Sequence, residues 1–150
     1  MDVLDLEILR CLKDNARMNA TAIGKKVNLS TSSVLERIHK METRKIIDGY
    51  TIKVDYKSIG RDITAFMYVN LEHPRDNDGF RDGILKLNDV SECHYLAGDF
   101  DYVLKIVTEN SRTLEETLNA VKGIPGVFRT RTLVVLSTVK NETTILPETI

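Results

Sequence analysis

The sequence predicts an α+β protein whose helical first third is followed by a β-α-β-β-α-β second half. Three short amphipathic segments, each opened by a residue that favours a helix start, occupy residues 1–44. After residue 62 the order of strand-like and helix-like segments is that of the ferredoxin-like split unit. A polar segment with one glycine, residues 55–62, separates the two parts and is predicted to be the linker.

The first helix is predicted over residues 2–14, where Asp2 can cap the start and apolar residues recur every three or four positions. A second helix is predicted over about residues 19–27. The third begins at its cap Ser30 and ends near Arg44. Its predicted buried residues are Val34, Leu35, Ile38 and Met41. Three short helices joined by tight turns, the last of them basic, predict a helix-turn-helix.

A small wing hairpin is predicted over residues 46–54, because Asp48-Gly49 is a strong turn signal between two apolar runs. The first domain is therefore a winged helix-turn-helix over residues 1–54. The linker takes residues 55–62, and the second domain takes residues 63–150.

The second domain alternates between strand and helix patterns. Its predicted strands are residues 63–72, 90–97, 102–108 and 127–139, and its predicted helices are about 75–87 and a segment starting at Ser111. Residues 140–150 show little pattern. Long apolar strands with open edges tend to aggregate, so burial of this sheet in an oligomer is expected.

Charge separates the two halves. The whole chain carries a net charge of −1, but residues 1–60 hold 11 Lys/Arg against 8 Asp/Glu, a net of +3, and the remainder is acidic. This asymmetry fits a nucleic-acid reader joined to an acidic assembly domain. No apolar run approaches the roughly 18 residues of a membrane span, so no membrane partner is expected. Cys11 and Cys93 both lie in apolar patterns and are predicted to be buried free thiols in a reducing, cytoplasmic setting.

Taken in order, the motifs resemble those of the Lrp/AsnC family of leucine-responsive and asparagine-responsive regulators, over nearly the whole chain. The motifs are Leu4-Asp5 with Ile8-Leu9, Asn15-Ala16-Arg17, Val27-Asn28-Leu29-Ser30 with Val34 and Arg37-Ile38, Ile47-Asp48-Gly49-Tyr50, Gly98-Asp99-Phe100-Asp101-Tyr102 and Ile124-Pro125-Gly126-Val127. The resemblance implies a sequence-specific transcription regulator that binds double-stranded DNA and responds to an amino-acid effector. It also implies homodimers that assemble into tetramers or octamers. Asn28 departs from the glycine usual in the family, but Asn tolerates the left-handed backbone of a turn.

With this resemblance, the third helix is expected to lie in the major groove. The candidate DNA-binding residues are Arg17, Thr31, Ser32, Ser33, Glu36, Arg37, Lys40, Arg44, Lys45 and Tyr50. Arg37 is long enough to fork onto guanine, while Arg17, Lys40, Arg44 and Lys45 suit phosphate contacts. Tyr50 is expected to hydrogen-bond a phosphate. Two-fold pairing would place two such helices about 34–36 Å apart on a roughly palindromic site.

The effector is expected at the segment Gly98-Asp99-Phe100-Asp101. Backbone N–H groups there can take a carboxylate, and Asp99 or Asp101 can take an ammonium, which together suit an α-amino acid. The resemblance places this loop near the effector pocket, and the candidates are Gly98, Asp99, Asp101, Tyr102, Thr130 and Thr132. No extra buried charge is apparent, which favours a neutral amino acid such as glutamine or asparagine.

Catalysis has little support, because the three histidines are scattered and no nucleophile, base and acid recur together. We expect no enzyme, no metal and no cofactor, since metal-ligand spacings and phosphate-cradling glycine loops are both missing. Two alternatives stay open: a regulatory amino-acid-binding subunit of an enzyme, and an architectural protein that compacts DNA with little sequence choice.

Overall fold

A computed structural model describes residues 1–150 and divides them into two units. The first unit contains Met1–Lys53 and Lys140–Ile150, and the second contains Val54–Val139. The tail was predicted to belong to the second domain, but it groups with the first unit. The reason is direct contact: the guanidinium of Arg10 donates to the carbonyl of Glu148 at 2.6 Å, and Lys13 pairs with Glu142 at 3.3 Å.

The first unit is built on three capped helices: α1 (Val3–Asp14), α2 (Ala20–Val27) and α3 (Thr31–Thr43). Each helix begins after a side-chain cap. The side chains of Asp2, Asn19 and Ser30 each accept a hydrogen bond from the backbone N–H three positions later in the chain, at 2.9, 2.8 and 3.2 Å respectively. These bonds satisfy donors that a helix start leaves free. The predicted helix-turn-helix is confirmed.

The core of the first unit lies between these three helices. Its buried members are Ile8, Cys11, Ile23, Val27, Val34 and Met41. Leu35, predicted to be buried, is 54% exposed. It follows Val34 directly, and adjacent helix positions point about 100° apart, so both cannot face the same core.

The turn between α2 and α3 depends on two unusual backbone positions. Asn28 adopts the left-handed conformation, with φ of 56°, and its N–H bonds the carbonyl of Gly24. A Cβ atom at Gly24 would lie 2.5 Å from the carbonyl oxygen of Leu29. Glycine at position 24 therefore permits the close approach that brings α3 against α2.

The predicted wing hairpin is absent: residues 46–54 form no strand. Lys45 is left-handed, with φ of 57°, and the N–H groups of Ile46 and Ile47 both bond the carbonyl of Met41, at 2.9 and 3.3 Å. These bonds finish the C-terminus of α3. The donors of the first predicted strand are thus already used, which explains why Asp48-Gly49 does not close a hairpin.

The second unit confirms the predicted β-α-β-β-α-β order. Its elements are β1 (Ile63–Leu71), α4 (Asn77–Ile84), β2 (Val90–Tyr95), β3 (Tyr102–Thr108), α5 (Ser111–Lys122) and β4 (Val127–Val134). The four strands form one sheet in the order β2-β3-β1-β4, and every neighbouring pair is antiparallel. No helix in either unit is both long enough and apolar enough to cross a bilayer.

The sheet has two different faces. Ala65, Met67 and Val69 on β1 are fully buried beside Phe80 of α4 and Val121 of α5. The intervening residues of β1 point to the opposite face and are only partly buried. That second face carries Phe66, Tyr68, Asn70, Val103, Lys105, Arg129, Arg131 and Leu133. Both helices of the unit thus cover one face, and the mixed apolar and cationic face lacks a helical layer.

The edges of this sheet are shorter and more open than predicted. β4 stops at Val134 instead of residue 139, and Leu136 and Val139 are almost fully exposed. Cys93, predicted to be buried, is exposed, whereas Cys11 is buried as expected. Cys93 lies on the edge strand β2, where most side chains are exposed.

We expect Gly24→Ala to lower the free energy of unfolding of the first unit by about 1–3 kcal/mol, because the added methyl overlaps the Leu29 carbonyl. Gly79→Ala is the matched control, since a Cβ atom there meets nothing within 4 Å in helix α4. It should raise stability by about 0.5–1 kcal/mol. Urea denaturation of both variants makes the comparison, and a stabilised Gly24→Ala would contradict the close approach.

Candidate functional site

The outward side of α3 is open and polar. Thr31, Ser32, Glu36 and Lys40 are exposed, and Ser33 is half-buried. At the helix start the cap Ser30 exchanges hydroxyl hydrogen bonds with Ser32 at 3.0 Å and with Ser33 at 2.8 Å. These hydroxyls lie beside free backbone N–H groups at the positive end of the helix, an arrangement that suits a phosphate or a base edge.

Four predicted phosphate-binding cations lie in this unit. Arg17 lies in the turn between α1 and α2, and Lys40, Arg44 and Lys45 follow along the end of α3. All four are exposed, and none of them forms an ion pair within the chain. Unpaired surface cations keep their full charge for a polyanion.

Arg37 differs from the other predicted DNA-binding residues because its guanidinium is already engaged. Its Nη1 lies 2.8 Å from Oδ2 of Asp2 and 2.7 Å from Oδ1 of Asp5. The hydrogen bond from Arg37 holds the pKa of the Asp2 carboxyl below its ordinary value of 3.8. A group with a lowered pKa stabilises the fold above that ordinary value and loses the contribution as pH falls through the lowered one.

Tyr50, predicted to contact a phosphate, has an acceptor inside the chain. Its hydroxyl donates to Oε1 of Glu42 at 2.9 Å. Burial of the hydroxyl and then the Glu42 carboxylate raise the pKa of Tyr50 above 10.0, so it remains a protonated donor at neutral pH. A phosphate would have to replace Glu42 as the acceptor.

The loop of residues 96–101 joins β2 to β3, contains the segment 98–101 that was predicted to bind an effector, and is hydrogen-bonded to the end of β1. The backbone N–H of Asp101 donates to the carbonyl of Val69 at 3.0 Å, and its Oδ2 accepts from the N–H of Leu71 at 2.8 Å. The carboxylate of Asp101 therefore completes a strand end. Its Oδ2 is engaged within the fold, while its Oδ1 accepts no hydrogen bond.

Tyr102 also belongs to the scaffold. It is 2% exposed, and its ring packs 4.7 Å from that of Phe80 and 5.1 Å from that of Tyr95. Its hydroxyl donates to Asn77 Oδ1 at 2.7 Å and accepts from Arg81 Nε at 3.1 Å. The donor of this hydroxyl and one of its acceptor lone pairs are therefore in use within the fold.

Gly98 and Asp99 are exposed, as is Ala97 before them. The backbone carbonyl of Asp99 accepts from Asn70 Nδ2 at 2.9 Å, whereas its carboxylate forms no hydrogen bond. Thr130 and Thr132 lie on β4 opposite Val69 and Met67, half-buried on the face that the helices cover. Thr130 thus pairs with Val69, whose carbonyl accepts the hydrogen bond from the loop, and Thr132 lies two residues further along β4.

Several residues beside these sites carry no local signal in the sequence. Asp2 and Asp5 reach Arg37 across more than 30 positions, and only folding joins them. Near the loop, Arg129 stacks 4.9 Å above the ring of Phe100, next to Asn70 in the sheet register. Oδ1 of Asn70 is buried without a hydrogen-bond partner. Adjacent exposed lysines at 25 and 26, in the last turn of α2, could have been identified from their charge alone.

Comparison with known proteins matches both units to family models. The model described as the AsnC-type helix-turn-helix domain matches residues 1–42. The model described as the Lrp/AsnC ligand binding domain matches residues 64–145.

Individual proteins match over almost the whole chain. The proline dehydrogenase transcriptional activator of Rhizobium radiobacter is 32% identical, over 93% of this chain and 92% of that protein. The structure of AsnC from Escherichia coli is 28% identical, with a TM-score of 0.89, covering 96% of this chain and 97% of that one. The feast or famine regulatory protein of Mycobacterium tuberculosis, solved with L-methionine, is 25% identical with a TM-score of 0.90, covering 97% and 99%.

We expect Asp101→Ala to lower the unfolding free energy by about 1–3 kcal/mol, because it leaves the Leu71 N–H without its acceptor. Asp99→Ala is the matched control, two residues away in the same loop, and should leave stability within about 0.5 kcal/mol of the parent. Denaturant unfolding of the two variants compares them, and equal stabilities would show that the Asp101 carboxylate does not hold the loop.

Proposed function

Since this chain belongs to the Lrp/AsnC family, we propose that it is a sequence-specific transcription regulator whose assembly responds to an amino acid. Membership makes the chain a DNA-binding transcriptional regulator with a ligand-binding domain. Its preference among DNA sequences, the chemical class of its ligand and its assembly state belong to the proposal. The observation that supports sequence-specific DNA binding is the exposed polar side of α3, which ends in the unpaired cations Lys40, Arg44 and Lys45. We propose that the protein acts in the cytoplasm, where it binds double-stranded DNA.

In this proposal α3 enters the major groove. Thr31, Ser32 and Ser33 contact bases or phosphates at the start of the helix, and Glu36 accepts from a cytosine amine. Arg17, Lys40, Arg44, Lys45 and Tyr50 set the position of the protein on the phosphate backbone. The remaining candidate, Arg37, differs from these residues because it is ion-paired with Asp2 and Asp5.

We propose a homodimer as the DNA-binding species, because one helix makes too few base contacts for useful specificity. The sheet face without a helical layer carries Phe66, Tyr68 and Val103, all partly buried, beside exposed Leu133. Burying such a face against a second copy removes apolar surface from water and pairs two identical patches around a two-fold axis. Further assembly of dimers into tetramers or octamers completes the proposal.

We propose a neutral amino acid as the effector, with an amide such as glutamine favoured, bound at Gly98 and Asp99. The free Asp99 carboxylate suits the ammonium group of the ligand, and the backbone around Gly98 suits its carboxylate. Thr130 lies at the adjoining strand position, whereas Asp101 and Tyr102 shape the site from behind. The relative from M. tuberculosis, whose structure contains L-methionine, supports the ligand class. Coupling to assembly requires that the ligand bind one assembly state more tightly than another.

We expect Lys40→Ala to weaken binding to a selected site and to random DNA alike, and to reduce the slope of log K against log salt by about 1. The selected site comes from a random-pool selection with the full chain, and fluorescence anisotropy gives the affinities. Lys122→Ala, an exposed lysine on α5, is the control and should leave the slope unchanged. An unchanged slope for Lys40→Ala would remove Lys40 from the DNA contacts.

The same titrations test sequence choice. A selected site bound about 10³-fold or more tightly than random DNA, at fixed salt, is the result expected for a specific regulator. A ratio near 1 would favour an architectural DNA-compacting protein, and no binding at low salt would favour a regulatory subunit of an enzyme.

A thermal-shift screen of the twenty amino acids against the full chain tests the effector, since a ligand of the native state raises the melting temperature. We expect at least one neutral amino acid to raise it and Asp99→Ala to abolish the rise. Asp82→Ala, which removes an exposed acid from α4, should keep the rise. Retention of the full shift by Asp99→Ala would place the ligand elsewhere.

A further inference from the structure

We propose that Arg37 is a positioning residue of α3 and not a base reader, and that Asp2 and Asp5 mask its charge from DNA. The inference rests on the proposed function in one respect, namely that α3 faces nucleic acid. It concerns an ion-pair cluster between the start of α1 and the middle of α3, here called the acid clamp and consisting of Asp2, Asp5 and Arg37.

The two acids of the clamp are held by hydrogen bonds to each other's backbone. Asp2 and Asp5 make a capping box: the Asp5 N–H donates to Asp2 Oδ1 and the Asp2 N–H donates to Asp5 Oδ2, each at 2.9 Å. Both carboxylates are therefore positioned by hydrogen bonds in the first turn of α1 that do not involve Arg37. Nη1 of Arg37 meets three of their oxygens, at 2.7, 2.8 and 2.9 Å.

The position of Arg37 on α3 explains what the clamp does. It lies three residues after Val34 and four before Met41, and both of those side chains are buried in the core of the unit. Arg37 thus borders the inward stripe of the helix, and its side chain is only 29% exposed. Its contact with Asp5, which is 14% exposed, fixes the rotation of α3 relative to α1.

Reading a base with Arg37 would require the clamp to open. The guanidinium would leave two carboxylates without their cation, beside a polyanion that repels them. A groove of about 390 Å³ runs along the clamp between α1 and α3, lined also by Ser33, Glu36, Lys40 and Arg44. These four polar side chains reach the groove without breaking an ion pair of the chain, so they are the better placed contacts.

Two variants, one on each side of the clamp, test the inference on the full chain. Arg37→Ala should lower affinity for the selected site and for random DNA by the same factor, with base preference unchanged at every position. Asp2→Asn combined with Asp5→Asn frees a cation, so affinity for random DNA should rise and the salt slope should steepen by about 0.9. Glu7→Gln removes an acid of α1 that pairs with Arg10 instead, and gives the control for charge alone.

A readout independent of DNA is the titration of the Asp2 carboxyl by NMR. Arg37→Ala should raise the pKa of Asp2 towards 3.8, because the largest cause of its lowering is lost. Arg37→Lys keeps the charge and serves as the second variant if Arg37→Ala does not fold. Base preference should again be unchanged.

Two outcomes would overturn the inference. One is a change of tenfold or more in preference at a single base pair with Arg37→Ala or Arg37→Lys. The other is a doubly substituted acid variant that behaves like Glu7→Gln. If the parent protein binds no DNA at low salt, the proposed function fails, whereas the Asp2 titration still decides whether the clamp exists.

Discussion

The packing of α3 on the two helices before it is the constraint on which the DNA-binding unit depends. Val34 and Met41 are fully or almost fully buried, and that burial fixes one side of the helix to the core. The opposite side is consequently left to polar residues. Gly24 makes this packing possible, because any larger residue would meet the Leu29 carbonyl at the turn. The packing of the core therefore determines which side of α3 is exposed and available for binding.

Electrostatics then divides the polar residues of the unit into two groups. Lys40, Arg44 and Arg17 have no acid partner and keep their charge for a ligand. Arg37 is neutralised by Asp2 and Asp5, which are held in place by the capping box of α1. A cation on the right helix is thus insufficient evidence for a base contact, because a partner distant in sequence can take its charge first.

In the second unit, the residues of the loop between β2 and β3 and of the adjoining strand likewise divide into those bonded within the fold and those exposed to solvent. Asp101 bonds the loop to β1 through its Oδ2, and Tyr102 bonds α4 through its hydroxyl. Ala97, Gly98 and Asp99 stay open to solvent. The proposed effector site would therefore use exposed loop positions supported by residues bonded to the sheet and to α4, which favours a small polar ligand.

Local patterns in the sequence were enough to predict the first three helices with their caps, the order of helices and strands along the chain, and the resemblance to the family, because apolar spacing, capping residues and turn signals are all local. The sequence did not determine whether Asp48-Gly49 closes a hairpin, which depends on whether Ile46 and Ile47 still have free N–H groups. Nor did it determine the partner of Arg37, the exposure of Cys93 or the placement of the tail. Those outcomes were decided by tertiary structure, because each depends on groups that meet only after distant segments pack together.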